Sequence, residues 1–429
     1  MSSQTRRRLR SSLPPVELRG PLLAGTLTLV AGWALLEFLP PLHVWLRGDI
    51  AFYENWGSWI AGHRLPYRDF SLEYPPGALP LFALPPYLRK LAGQHGAYDV
   101  WFRVIVLVIA LVCLPVIAWV LGRLGATRRR AYAALVLAGA SPALLGPISV
   151  SRYDYWPALL SLLGIAALVG GRPIVACALF SLGAVAKLYP VVLVPLALIE
   201  LWRRGRGRAV SQGVGAALAV LAAGIGPFLV LAPHGLWWAA HRQLVRPVQV
   251  ESLAAAVFAA AHMLAGAHLH VVKSSGSDNL VGSGPDLAGT ISSVASLLVL
   301  VVVYVYYVRG PATRERLVTT AVAAVAVFIA FTKVFSPQYL IWLMPIVPLL
   351  GGRAGARAAG LFAVAVGLTQ IWEPYRYYDY YSTFAPWLVT LVVVRDLLVV
   401  AIVVVLVRAL AASEDDAEQL DPARASVGG

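Results

Sequence analysis

Apolar residues fall in long unbroken runs along this chain, not in the stripes of surface helices or the alternation of half-buried strands. Runs of about 20 residues are long enough to cross roughly 30 Å of hydrocarbon as helices. Only helices or closed barrels satisfy their own backbone there, and the short alternating segments of a barrel are absent. The runs predict twelve spans, at about 21–40, 99–122, 131–148, 154–170, 172–187, 188–202, 209–232, 288–308, 315–332, 337–350, 355–372 and 387–410. The fourth to sixth and the tenth are short, so the count lies between ten and thirteen. The expected fold class is all-α, a single polytopic transmembrane helical bundle.

Residues 1–20 read as a cytoplasmic basic N-terminus, 21–410 as one membrane domain, and 411–429 as a disordered cytoplasmic tail. Two long polar interruptions stand out, a first loop at 41–98 and a second at 233–287. The first run follows Arg6, Arg7, Arg8 and Arg10 and ends in Phe38-Leu39-Pro40-Pro41. No small-residue cleavage site follows it, so it reads as an uncleaved span. After Asp49, the helical spacing of Tyr53, Trp56 and Ile60 predicts an interfacial helix over 50–61. A second is expected over 251–271, followed by flexible stretches at Ser274-Ser275-Gly276-Ser277 and Gly282-Ser283-Gly284.

Composition agrees with the runs. Of 429 residues, 59% are hydrophobic and 13% charged, with a mean hydropathy of +0.73. Soluble domains carry roughly a quarter charged residues. The net charge of +14 would suggest a nucleic-acid partner in a soluble protein. Here the arginines sit in short loops between apolar runs, as membrane orientation requires, and no nucleic acid is implied. Cys113 and Cys177 lie inside apolar runs, which argues against a disulfide or metal role.

Arginine placement sorts the loops onto two sides. Arg123 with Arg128–Arg130, Arg172, Arg203–Arg208, Arg309–Arg316 and Arg353–Arg357 mark the expected cytoplasmic face, which also holds both termini. The other side collects the 41–98 loop, Arg152-Tyr153-Asp154, Lys187-Leu188-Tyr189-Pro190, the 233–287 segment, Lys333 to Tyr339 and Glu373 to Tyr381. All eight histidines fall there too. One polar, aromatic surface is therefore expected on an otherwise inert bundle.

Within that surface each candidate has a structural reading beside a chemical one. Asp49 suits a helix N-cap; a carboxylate at the mouth of a bundle also suits a general base. Arg152 and Asp154 are able to pair with each other, though ionisable groups near membrane depth point to function. Lys187 reads as a snorkelling lysine or, beside the helix-breaking Tyr189-Pro190, as a phosphate contact. Lys333, Ser336 and Gln338 gather at a proline-broken helix start, a reasonable anion cradle. His262, His268 and His270 lack the ligand spacing of a metal site, and Tyr375 to Tyr381 read as an interfacial aromatic belt.

These residues resemble those of a known family. Gly48-Asp49 with Tyr53, Gly62-His63-Arg64-Leu65-Pro66-Tyr67-Arg68-Asp69-Phe70 and Glu73-Tyr74-Pro75-Pro76 are similar to the first outer loop of glycosyltransferase family 87. Arg152-Tyr153-Asp154, Lys187-Leu188-Tyr189-Pro190 and Ser336-Pro337-Gln338-Tyr339-Leu340 extend the resemblance, which covers about 20–405. It implies the C-type membrane fold and an extracytoplasmic α-mannosyltransferase that uses polyprenyl-phosphate mannose and a lipid or glycan acceptor. It further implies Asp49 as base, with Lys187, Lys333 and Arg152 on the donor phosphate. Tyr53, His63, Asp69, Glu73, Tyr74, Asp154, Tyr189, Ser336, Gln338 and Tyr339 are then substrate-side candidates. No metal or other cofactor is implied. The alternatives are a pentosyl transferase, for example of arabinofuranose, using the same kind of carrier, or a flippase for a lipid-linked sugar.

Overall fold

The computed structural model describes residues 18–39, 46–205 and 207–420, with side chains through 412. The N-terminal arginines, His43 and Arg206 lie outside the described residues. In chain order the longer helices begin with α1 (Arg19–Phe38), α2 (Ile50–Ala61), α3 (Leu79–Leu91), α4 (Tyr98–Arg123) and α5 (Arg128–Gly139). They continue as α6 (Tyr155–Val169), α7 (Pro173–Ala186), α8 (Val194–Arg203), α9 (Gly207–Leu231), α10 (Pro233–Leu244) and α11 (Leu253–Ala265). The last are α12 (Ser283–Arg309), α13 (Arg314–Phe331), α14 (Gly352–Trp372), α15 (Tyr377–Thr383) and α16 (Pro386–Leu420).

Among the described residues six helices are long and apolar enough to cross a membrane: α1, α4, α9, α12, α14 and α16 up to Ala412. The chain is thus a polytopic helical membrane protein. The other expected runs also fold as helix, but in shorter or more charged pieces. Proline sets their lengths, because it lacks an N–H and ends or restarts a helix. Pro142 and Pro147 break 131–148 into three segments. Pro190 turns 188–202 through a tight 3₁₀ stretch, Tyr189–Leu193, before α8. Pro337 and Pro348 leave only Leu340–Leu343 as α-helix in 337–350. Such irregular backbone survives at membrane depth only when protein covers it, and here it does. Leu340 to Leu343 are buried, and α13 is buried at nearly every position from Leu317 to Ala330. The long helices form the rim instead; α9 buries only Gly213 and Ala217.

Small residues let the helices close up, since in lipid close packing replaces the hydrophobic drive. A β-carbon on Gly139 of α5 would overlap the Gly25 carbonyl of α1. A buried ion-pair cluster fastens α1 to α4: Arg103 reaches Glu37 at 2.7 Å and Asp99 at 2.8 Å.

The bundle is not purely helical. The stretch expected to be flexible at 274–277 is the turn of a hairpin between β2 (Val271–Ser274) and β3 (Ser277–Leu280). Ser275 and Gly276 both have positive φ, 50° and 68°, as a two-residue turn matched to strand twist requires. β1 (Val248–Gln249) pairs with the other edge of β3, Val248 opposite Leu280, giving the order β1-β3-β2. Nor does the expected helix over 251–271 run its full length. Ser252 caps α11 by accepting from the Ala255 N–H, and Gly266 ends it in the left-handed conformation. Val248, Val250 and Leu280 then pack with Trp372, Tyr380 and Leu388 in a second, smaller core.

The connections meet at two ends. At one, Arg203 donates to the carbonyls of Tyr307 and Gly310, Arg130 to that of Leu349 and Arg314 to that of Arg123. The other end carries the acidic and aromatic residues.

Candidate functional site

Asp49 occupies the N-cap position of α2, yet its carboxylate accepts no cap hydrogen bond and its backbone is already helical. The carboxylate forms an ion pair with Nη1 of Arg152 instead. Arg152 follows the short helix Pro147–Ser151, which starts at Gly146 with φ 54°. Its Nε is buried without a hydrogen-bond partner. Burial lowers its pKa, while Glu373, Asp154 and Glu251 pull it back up.

Asp154 therefore does not pair with Arg152. One oxygen accepts from Lys187 Nζ at 2.5 Å and from Trp342 Nε1 at 2.6 Å; the other is buried without a partner. Lys187 sits among the rings of Tyr153, Trp342 and Tyr339, at 4.8, 5.3 and 5.4 Å. Tyr189 and Tyr339 both stack on Trp342, at 4.0 and 3.9 Å. The tyrosine of Lys187-Leu188-Tyr189 thus backs the same indole that shares Asp154. Tyr53 is buried too, stacked on Phe82 at 4.5 Å with Tyr74 and Tyr153 edge-on at 5.8 and 6.1 Å.

The remaining first-loop candidates lie at varied distances from this centre. Asp69 folds its own loop: it accepts from the Leu65 N–H at 2.6 Å and pairs with Arg68 at 2.9 Å. Both interactions hold its pKa below the usual carboxylate value, the Arg68 bond more than the backbone one. Glu73 binds Arg242 of α10 at 2.9 Å and so ties the first loop to the second. His63 is exposed at the end of α2 with φ 64°. Lys333 and Ser336 turn to different partners: Lys333 donates to the Leu244 carbonyl at 2.7 Å, and Ser336 exchanges bonds with Gln249 at 2.8 and 3.1 Å. Gln338 is half-buried on the turn Pro337–Tyr339.

Four charged residues absent from the sequence candidates complete the cluster. Arg246, just before β1, donates to Ser277 of β3 at 2.7 Å. Its Nε is buried without a partner, and its charge acts on Tyr74, Lys187 and Tyr339. Glu251 is buried beside Gln249, and its pKa is raised by burial and by Glu373. Glu373, after α14, is pushed up to about 7 by burial, against the pull of Arg152 and Arg395. Arg395 donates to the Glu251 carbonyl at 2.6 Å and lies 3.9 Å from the centre of the Phe335 ring. One signal was present in the sequence: Arg395-Asp396 interrupts an apolar run, and an intramembrane ionisable pair marks function by default. Arg246 and Glu251 carried no such signal, because only the hairpin brings them in.

The outcome is a polar cup with open valences of both kinds. Arg152 and Arg246 each keep a buried donor without a partner; Asp154, Glu251 and Glu373 each keep an acceptor. Such atoms call for a polar ligand or water. Among the described residues no three His, Cys, Asp or Glu side chains gather to hold a metal ion.

The model of glycosyltransferase family 87 matches residues 72–337, well over half the chain. That span holds Glu73, Arg152, Asp154, Lys187, Arg246, Glu251 and Ser336, and begins after Asp49. No curated protein matches the chain.

Proposed function

The chain belongs to glycosyltransferase family 87, and from that premise we propose that it transfers a mannosyl residue from a polyprenyl-phosphate donor to a lipid or glycan acceptor. The reaction takes place at the extracytoplasmic membrane face, with inversion at the sugar. The observation that carries this reading is the Asp49–Arg152 pair at the edge of a cup with unfilled donors.

In this scheme Asp49 accepts the hydroxyl proton of the acceptor while that oxygen bonds to the anomeric carbon. The bond from that carbon to the phosphate oxygen breaks, and polyprenyl phosphate leaves with the electron pair. A phosphate leaving group needs cations more than it needs a proton. Arg152 and Arg246 have free donors to offer it. Lys187 already shares Asp154 and adds to the local field from behind the aromatic wall. Direct displacement needs no second carboxylate as nucleophile. Glu251 and Glu373 are left to accept from sugar hydroxyls.

Orientation follows the arginines, which place their own end in the cytoplasm and the cup outside. The hydrophobic carrier then reaches the cup from within the bilayer. Membranes containing the protein should move label from polyprenyl-phosphate mannose into lipid or glycan. Absence of transfer from every polyprenyl-phosphate sugar would remove the enzyme class itself.

A further inference from the structure

A cavity of about 630 Å³ lies at the arginine-rich end, far in sequence from every residue of the cup. It opens between the start of α7, the end of α8 and the start of α9. Arg172, Arg204, Arg208 and Gln212 line it above an apolar wall that includes Ile174 and Val175.

One of its cations is fixed. Arg204 donates to the Gly171 carbonyl at 3.2 Å and to Glu200 at 3.2 Å. Glu200 also accepts from Tyr307, so the nearest acid is fully engaged. Gly171 and Gly205 both turn with positive φ, 78° and 66°, which folds the two loops toward each other around the opening. Among the described residues the guanidinium groups of Arg172 and Arg208 have no hydrogen-bond or ion-pair partner. Two free cations therefore share a cavity with a third whose position is set.

The wall decides what kind of anion fits. Orientation alone would account for loop arginines, but not for a cavity with an apolar side. Val175 and the neighbouring Trp202 are 47% and 62% exposed, on the flank that faces lipid. From the cavity α9 runs off across the bilayer with most of its apolar surface uncovered by protein. A small soluble anion has no use for that surface; acyl chains do.

We propose that this cavity seats the headgroup of an anionic membrane phospholipid, its phosphate between Arg172 and Arg208 and its chains along Val175 and α9. The proposal does not depend on the transferase reading, since it concerns the opposite end of the bundle.

Native mass spectrometry of the full chain, released from micelles with equal phosphatidylglycerol and phosphatidylcholine, reads the seat directly. Wild-type protein should retain phosphatidylglycerol in preference. The Arg172→Ala, Arg208→Ala variant should lose that preference, by about fivefold in affinity for each arginine removed, the worth of one cation at an anionic membrane surface. Arg172→Lys with Arg208→Lys, which keeps both charges, should retain most of it. Equal retention of the two lipids by wild type would overturn the proposal, as would unchanged preference in the double alanine variant. Should that variant fail to keep its helical circular dichroism, Arg172→Gln alone carries the same comparison. Displacement of the lipid by millimolar inorganic phosphate would also overturn it, because the site would then take a soluble anion.

Discussion

Asp154 holds Lys187 and Trp342 with a single oxygen, while the other oxygen stays open to the cup. Removing one partner of a buried pair leaves an uncompensated charge, which costs about 3–5 kcal/mol. Asp154→Asn should therefore lower the melting temperature in detergent, and adding Lys187→Met should recover part of the loss. A double variant no more stable than Asp154→Asn would contradict the pairing. Arg246→Ala should leave the fold in place and lower the transfer rate by about 10²–10³-fold, the usual effect of losing one donor at a developing charge. Glu373 links stability to pH. Burial lifts its carboxyl from 4.5 to about 7, so the folded chain holds that proton more tightly than the unfolded chain. The stabilisation is complete below about pH 4.5 and is lost as pH rises through about 7. Against wild type, Glu373→Gln should thus gain in melting temperature between about pH 5 and about pH 8; a constant difference would contradict the assignment. Individual candidates such as Asp49, Arg152 and Lys187 were legible in the sequence, because charge beside apolar runs is conspicuous. Their partners were not. Asp154 and Lys187 meet across 33 positions, and Asp49 and Arg152 meet only after the first loop has folded back on the bundle.

At the scale of elements, hydropathy located the helices well wherever both ends were marked. The run expected at 99–122 is Tyr98–Arg123, and that expected at 288–308 is Ser283–Arg309. Where prolines cut a run, hydropathy still reads as continuous although the helix does not continue, as in 131–148 and 337–350. The hairpin was hidden for another reason. Its Ser275-Gly276 turn looks like a linker unless the flanking strands are recognised, and β3 is mostly polar. Close approaches between elements also escape a sequence reading. A β-carbon on Gly57 of α2 would overlap the Phe82 carbonyl of α3 and crowd the Tyr98 ring. Gly57→Ala should force these two helices apart and cost about 1–3 kcal/mol, as overpacking does. Thermal melts of the purified variant test this, and a wild-type melting temperature would contradict it. Because Tyr53 of α2 carries the aromatic floor of the cup, the same change should also slow transfer.

For the whole molecule, the long helices stand at the rim and the short, proline-broken ones inside, where protein rather than lipid covers their irregular backbone. That arrangement lets buried breaks carry polar side chains at one end while the rim stays apolar. Six helices have the length and apolarity to span, against twelve runs read from the sequence, because hydropathy reports apolar surface and not what covers it. The sorting of loops into an arginine-rich end and a carboxylate-rich end was legible, since charge position along the chain survives folding. The convergence of Asp49, Arg152, Arg246, Glu251 and Glu373 was not, as it depends on two loops and a small sheet meeting. The central claim is that this convergence makes Asp49 the base of a sugar transfer. Its most direct test is transfer of labelled mannose from polyprenyl phosphate in membranes carrying wild-type or Asp49→Asn protein at matched abundance. The rate should fall by about 10²–10⁴-fold in the variant, the range a general base supplies, whereas transfer by Asp49→Asn at the wild-type rate would contradict the claim.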